Sequence, residues 1–572
     1  METNRTHSFL CLLVLIAVNL SLFFPSMSGD FLWDDKVLVS ENPYILGPGF
    51  LKKFLVLPWG GFGGMDEMSR ELSRLGQFYR PFSSLSYWID YKVWGLNPAS
   101  FHLTNILLHT ANAVILFVVL LNVGWKTSMS FLGALLFSVF PPHFENVSWI
   151  SGRTDLLSFL FVSLSVLFFL KFLKKKKPVH AALSSFALLC SLLCKESGLL
   201  LIVVYFLILL QRERKFKSAA LLATPYAVSV LLWFLLRSLA LGFFSASYSA
   251  RTLPDFFSAM GFYVYRLLIP FDLSVTVDSQ PVFSNVLFLA LGGAASLLFM
   301  FSIFLLLKRS SKFSEFSLLY ASFYLLLLPS ATVIFFSSTV SFIAWRFLYL
   351  PSALFTSSLV YLLFSKIKHR LVPVLLLSVL CLFCVAEVYP KAKLFGKNES
   401  DFWLSIKKVE REDFIAKMNI GLHYLPKDEK KALKVFEELL SQKEHHYYEL
   451  FEARIYEEIA AYYTLHKDLE KAEKYFNELF KRRKIQSQFA YFNYSYFLAL
   501  KGEVEEGERI VQNMLQLFPQ NHLVLIHAAK FYVITKDIPR AIILYEKDLA
   551  LFPSKKTKLI LDQLKDLVKS QD

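Results

Sequence analysis

Over its first 395 residues the chain alternates long apolar runs with short polar connections, most of them basic. The runs lie near residues 8–27, 103–123, 128–142, 155–173, 179–194, 198–211, 218–241, 284–307, 316–336, 343–364 and 371–390. At about 20 residues per crossing of a bilayer core, they predict about eleven membrane spans. The stretch 254–272 is also apolar, but Pro254, Pro270 and Arg266 interrupt it, which suits a re-entrant or interfacial segment better than a span. The first run, Leu10 to Phe24, follows Arg5 and looks like a signal peptide. With ten further runs behind it and no clean cleavage site, a retained helix is the expectation.

After Lys391 the pattern changes to charged helix formers. Pro519 and Pro553 stand 34 residues apart, and a small residue recurs four positions before a large one: Ala432/Phe436, Ala472/Phe476, Gly507/Val511 and Ala541/Tyr545. A 34-residue helix–turn–helix period with a small residue at the packing contact resembles the tetratricopeptide repeat. Around four such units share a continuous core and present a concave surface that suits a protein partner. The expected fold is therefore all-α: a polytopic membrane domain over 1–395, with an external loop at 29–100, then a repeat α-solenoid over 396–572.

Composition agrees: of 572 residues, 55% are hydrophobic and only 19% charged, the balance of a polytopic membrane protein. The formal net charge of +15 raises the question of nucleic acid. Its distribution answers it, because Lys174 to Lys177, Arg212 to Lys217, Lys308-Arg309 and Lys366 to Arg370 each abut an apolar run. That is the positive-inside pattern, which orients the chain in a membrane and implies no nucleic-acid partner. It puts the N-terminus in the cytoplasm, and the 29–100 loop and everything after Lys391 outside. The five cysteines all lie inside apolar runs and read as packing residues, with no disulfide framework. The glycine run Gly60 to Gly64 lacks a phosphate-loop ending and reads as a turn. The Asn-x-Ser triplets at Asn146, Asn398 and Asn493 recur at chance frequency and carry little weight.

Against this topology the ionisable residues at the external face stand out. Phe31-Leu32-Trp33-Asp34-Asp35 places two adjacent carboxylates at the exit of the first span. Like charges side by side repel, which raises one pKa and favours a base usable near neutral pH. His143, Glu145, Arg153, Asp155, Lys195, Glu196, Arg251, Arg266 and Arg346 join them on the same side. Ionisable groups at membrane depth are functional by default. Each alone also suits a paired or snorkelling helix end, and His143 a hydrogen-bonded structural histidine.

These segments occur in a telling order: the Phe31 to Asp35 run, Tyr79-Arg80-Pro81, Trp94-Gly95-Leu96-Asn97-Pro98, and Phe101-His102-Leu103-Thr104-Asn105 with Leu108-His109. Pro142-His143-Phe144-Glu145, Trp149 to Arg153, Asp155, Lys195-Glu196 and Arg346 to Ser352 follow. In this the chain resembles the tetratricopeptide-containing O-mannosyltransferase-like membrane proteins of the GT-C glycosyltransferase superfamily. Trp345 and Phe140 depart from the pattern. The resemblance implies inverting transfer of a sugar, a hexose such as mannose, from a polyprenyl-phosphate-linked donor at the external membrane face. The acceptor would be a protein Ser/Thr or an envelope glycan.

Such transfer needs a base for the acceptor hydroxyl and cations for the leaving phosphate. Asp35 is the expected base with Asp34 orienting the acceptor, although adjacent carboxylates can exchange these roles. Arg346, Arg153 and Lys195 are the expected phosphate ligands. His102, His143, Glu145, Asp155, Glu196, Tyr79 and Arg80 are the expected sugar and acceptor pocket. No cofactor is expected, and a divalent metal stays open because acids and His143 cluster. The localisation expected is a bacterial inner membrane with a periplasmic C-terminal domain, the alternative being an endoplasmic reticulum membrane with that domain lumenal. A transporter, or a non-catalytic assembly or scaffold protein, are the competing readings; the first lacks internal symmetry between halves.

Overall fold

The structure, a computed structural model, describes residues 2–40, 42–47, 49–56, 78–241, 251–275, 277, 279–308, 314–335, 343–409, 414–425, 427–443, 448–481, 488–519, 521–551 and 555–569. The glycine run at 60–64 lies outside them. The described residues form helices and connections, with no strand among them. They divide into two units. Met1–Asn42, Leu51–Gly60 and Leu75–Phe402 belong to the first, and Trp403–Asp572 with Pro43–Phe50 to the second.

The first unit is built from α1 (Glu2–Phe23), α2 (Pro81–Trp94), α3 (Pro98–Val123), α4 (Thr127–Ser138), α5 (His143–Ser148), α6 (Arg153–Lys175), α7 (Pro178–Cys194), α8 (Leu201–Glu213), α9 (Phe216–Leu241), α10 (Leu253–Leu268), α11 (Val286–Leu307), α12 (Ser314–Thr332), α13 (Tyr349–Lys366), α14 (Leu371–Phe395) and the first residues, to Phe402, of α15 (Glu399–Val409). Eight of its helices are long and apolar enough to cross a membrane, beginning at Thr6, Pro98, Ile150, Phe216, Val286, Glu315, Trp345 and Leu371. The chain is thus an integral membrane protein by length and composition. Three of the eleven expected spans fall short: α4 has 12 residues, α7 has 17 and α8 has 13. At 1.5 Å per residue, α4 covers only about 18 Å. The reason is local, since Pro141-Pro142 follow α4 and a residue before proline leaves the helical region.

The stretch at 254–272 forms one continuous helix, α10, because its prolines flank it. Pro254 stands in the first turn behind a Thr252–Asp255 capping box, and Pro270 lies beyond the last turn. It crosses α11 at backbone contact. A Cβ on Gly261 would lie 1.8 Å from the Phe288 carbonyl oxygen, and one on Gly292 1.8 Å from that of Phe257. Only glycine allows that approach.

The second unit contains α16 (Phe414–Tyr424), α17 (Glu429–Ser441), α18 (Tyr448–Leu465), α19 (Leu469–Lys481), α20 (Gln488–Lys501), α21 (Val504–Leu517), α22 (His522–Ile534), α23 (Ile538–Leu551) and α24 (Lys555–Lys569). These are four helical hairpins and a closing helix, a helical solenoid. The small–large pairs mark its core: Ala432, Phe436, Ala472, Phe476, Val511, Ala541 and Tyr545 are all buried. Gly507 lies so close to α20 that a Cβ would be 2.9 Å from the Ser495 oxygen.

Candidate active site

The site begins with a strained turn after α1. Trp33 adopts φ +48°, a left-handed conformation costly for a bulky residue. Packing holds it there: its ring meets Trp149 at 5.4 Å, Phe402 at 5.2 Å and Phe395 at 6.1 Å, all edge to face. Trp149 adds a hydrogen bond from Nε1 to the Leu32 oxygen, 3.3 Å. The turn sends the two following carboxylates into different surroundings.

Asp35 is fully buried and fully used. One oxygen accepts the Leu32 N–H at 2.9 Å, closing the turn on itself. The other accepts the Ser151 N–H at 2.8 Å and the Ser151 hydroxyl. Burial pushes the Asp35 carboxyl up to about 7, against the pull of the Ser151 and Leu32 donors. Asp34 is half-buried and has no hydrogen bond or ion pair among the described residues. Burial raises its carboxyl too, while Arg346 and then Arg80 draw it down.

Two cations, Arg346 and Arg80, act on it, and a third, Lys195, lies near those two; each comes from a different part of the chain. Arg346 lies in the single turn Trp345–Leu348 that leads into α13. Its backbone N–H donates to Glu145 Oε2 at 2.9 Å, and its Nη1 pairs with Glu145 Oε1. Asn146 steadies the turn by donating to the Arg346 oxygen at 3.1 Å. The guanidinium sits over Trp149 and Phe347, 5.3 and 5.0 Å from their ring centres. Lys195, at the C-cap of α7, places Nζ 2.6 and 2.7 Å from the two oxygens of Asp155 and 5.0 Å from the same Phe347 ring. Burial pushes its ammonium down, and Asp155 works against that. Arg80, at the N-cap of α2, pairs with Glu196 at 3.2 Å and lies over Phe78. Six of the expected residues therefore form three ion pairs, and the cations of two of them, Arg346 and Arg80, act on Asp34.

Four expected residues stand elsewhere in this unit. Arg153 is completely buried one layer behind, with Nη1 2.6 Å from Asp90, Nε donating to Asn105 and Nη2 to the Phe101 oxygen. Its guanidinium faces the Tyr87 ring and joins α6 to α2 and α3. His102 is buried in α3 near that arginine. His143 is buried at the start of α5, bonded through Nε2 to the Ser352 hydroxyl at 2.8 Å and packed on Tyr349. Burial drives its imidazole well below the usual histidine range, so it is neutral. Tyr79 donates its hydroxyl to the Leu55 oxygen at 2.6 Å. Among the described residues no group of three or more His, Cys, Asp or Glu is arranged to hold a metal.

Sequence reasoning missed Ser151, which anchors Asp35, and Asp90, which neutralises Arg153. A signal for Asp90 existed: it is a lone acid within the aromatic helix that includes Tyr87, Trp88 and Tyr91. It also missed the network in which Tyr349 joins His109 at 2.7 Å and Asn112 at 3.1 Å.

No family model matches the chain. Over 408 residues, 68% of this chain and 56% of the relative, it is 25% identical to a protein O-mannosyl-transferase of Caenorhabditis elegans. It is 34% identical over 165 residues to protein O-mannosyl-transferase TMTC2 of Homo sapiens, covering 28% of this chain and 18% of that protein. Protein O-mannosyl-transferase TMTC4 of Homo sapiens is 34% identical over 215 residues, 33% of this chain and 27% of that one. The chain thus spans about half the length of the worm relative and less of the human ones. The resemblance read from the motifs is borne out in that these curated relatives carry the O-mannosyl-transferase name.

Proposed function

We propose that this protein is an integral-membrane glycosyltransferase of GT-C type that moves a hexose, mannose by its likeness to the named relatives, from a polyprenyl-phosphate carrier to a Ser or Thr hydroxyl of a protein. One observation carries the reading: a carboxylate without an ion pair, Asp34, is acted on by two cations, Arg346 and Arg80, and a third, Lys195, lies near both of them. A base beside cations is what glycosyl transfer from a phosphate requires. Asp34 takes the proton of the acceptor hydroxyl as its oxygen bonds to the anomeric carbon. The bond from that carbon to the phosphate oxygen breaks on the opposite face, so the configuration inverts. The electron pair leaves with the phosphate, whose charge Arg346 and Lys195 meet.

This exchanges the roles expected from sequence alone. A base needs a free lone pair, and the oxygens of Asp35 are already occupied by Leu32 and Ser151. Asp35 is better suited to hold the turn that aims Asp34. Arg80 in turn suits the phosphate better than Arg153, whose guanidinium is engaged by Asp90, Asn105 and the Phe101 oxygen. Residues 1–395 would carry the chemistry and 396–572 would engage the polypeptide acceptor or a protein partner. Positive-inside reasoning puts the site on the face away from the cytoplasm, periplasmic in a bacterial inner membrane or lumenal in the endoplasmic reticulum.

The test uses the full chain in nanodiscs with mannosyl-phosphoryl polyprenol and an exported protein as acceptor. Hexose added to Ser or Thr, with release of polyprenyl phosphate, is the expected result. Absence of both products from folded protein, with donors of either polyprenol type, would remove the transferase reading.

A further inference from the structure

The helices that bring the site together also run to the opposite end of the membrane unit. α6 starts at Arg153 and ends at Lys175, a helix of 23 residues, so its far end is roughly 33 Å from its start at the site. α7 runs back from Pro178 to Lys195. The far end of α6 meets the end of α8: Lys176 Nζ pairs with Glu213 at 2.9 Å, and Arg212 Nη1 donates to the Leu173 oxygen at 3.3 Å. Both helices stop on a cation in the left-handed conformation, Lys176 at φ +53° and Arg214 at φ +59°.

Between these ends lies a crevice of about 230 Å³, lined by Leu173, Ile208, Gln211 and Arg212. Its walls divide by chemistry. Leu173 and Ile208 are apolar and shielded, inside each helix end, whereas Gln211 and Arg212 are exposed. Residues 171–177 and 211–217 contain nine Lys or Arg and one carboxylate, Glu213, which Lys176 already engages. Phe216, 66% exposed, opens the next helix and meets Phe206 at 5.5 Å. An exposed phenylalanine beside exposed lysines belongs at a lipid headgroup layer, not in bulk water.

We propose that this crevice binds one anionic glycerophospholipid, its phosphate against Arg212 and Arg214 and its glycerol and upper acyl carbons against Leu173 and Ile208. The excess of cations selects a negative headgroup, and the apolar floor selects a lipid over free phosphate. The role is distinct from the proposed donor site, which lies at the other end of α6, and does not depend on that reading. Charge orientation alone needs cations but no crevice, so selective retention of a lipid separates the two.

The full chain, purified in mild detergent, would be exposed to phosphatidylglycerol, phosphatidylcholine or inorganic phosphate, and read by native mass spectrometry and by thermal melting. One phosphatidylglycerol should be retained and should raise Tm, whereas phosphatidylcholine and inorganic phosphate should do neither. Each cation near an anionic surface is worth about fivefold in affinity. Arg212→Gln with Arg214→Gln should therefore weaken retention by about 25-fold. Should that pair fail to fold, Lys175→Gln with Lys177→Gln, both exposed at the same end of α6, should still weaken it severalfold. Equal retention of the two lipids, an equal shift from inorganic phosphate, or folded variants that keep the lipid would each overturn the proposal.

Discussion

Replacing Asp34 by Asn separates two carboxylates that are neighbours in sequence and unlike in surroundings. The substitution keeps size and shape, and no hydrogen bond or ion pair among the described residues depends on the Asp34 carboxylate, so the fold should tolerate it. What it removes is the proposed proton acceptor. Loss of a general base costs roughly 10²–10⁴-fold in rate, about 3–5.5 kcal/mol of barrier. Asp35→Asn perturbs something else. Its amide oxygen can still accept from Ser151, but the NH₂ then faces the Leu32 N–H, donor against donor, where a 2.9 Å bond stood. One lost bond to a charged group and one buried unsatisfied donor cost about 2–4 kcal/mol of stability. The assay pairs single-turnover hexose transfer in nanodiscs with thermal melting of the same samples. Asp34→Asn should melt close to wild type and transfer at least about 100-fold more slowly. Asp35→Asn should melt lower, and its surviving folded fraction should retain more activity than Asp34→Asn. The assignment of roles is refuted by Asp34→Asn working within about threefold of wild type, or by Asp35→Asn being fully stable and the more inactive of the two.

Other residues give further expectations. Arg346→Lys keeps the charge but cannot form the guanidinium contacts to Glu145 and the two rings; donor KM should rise about 10-fold or more, read by titrating the carrier. Arg153→Met strands Asp90 without its partner in a buried layer and should cost about 3–5 kcal/mol, seen as loss of folded protein on size-exclusion chromatography, without a selective effect on donor KM. Burial raises the Asp35 carboxyl to about 7, so its protonated form is favoured by folding: the stability it contributes is full below its usual value of 3.8 and is lost as pH rises through 7. Melting between pH 5 and 8 should therefore show wild type losing more stability with rising pH than Asp35→Asn. Gly507→Ala pushes a methyl to 2.9 Å from the Ser495 oxygen and should destabilise the solenoid by about 1–3 kcal/mol, measured by proteolysis of the second unit.

Helices and their packing contacts were legible because they are written locally. Apolar runs of spanning length marked eight long helices, and the recurring small–large pairs marked the solenoid core at Ala432/Phe436 and Ala472/Phe476. Distance along the chain decided what was not. The pairs Lys195–Asp155, Arg80–Glu196 and Arg346–Glu145 join residues 40, 116 and 201 apart, so the sequence named their members without pairing them. Arg153 illustrates the cost: next to Gly152 and two before Asp155, it reads like a site residue, yet the first turn of α6 turns it inward to Asp90. Asp34 and Asp35 could not be told apart by spacing, because their difference arises from the left-handed Trp33 and from Ser151, 116 residues away.

The electrostatics of the cluster explain why one carboxylate is left over. Arg80, Lys195 and Arg346 are each matched by one acid, and Asp34 is left without an ion pair among the described residues, in a half-buried place that disfavours its charge. In the proposed reaction a phosphate beside the same cations would add negative charge and drive Asp34 toward accepting a proton, the tendency a base needs at the moment the acceptor hydroxyl gives one up. The paired acids contribute differently: Glu145, Asp155 and Glu196 hold their cations in place, and Arg346 and Lys195 each lie 5.0 Å from the centre of the Phe347 ring. Donors fixed in this way need little reorganisation as charge develops on the leaving oxygen. The three ion pairs thus keep like charges together, and the left-handed turn at Trp33 precedes a carboxylate, Asp34, that stays outside that pairing, where the proposed reaction would need its proton acceptor.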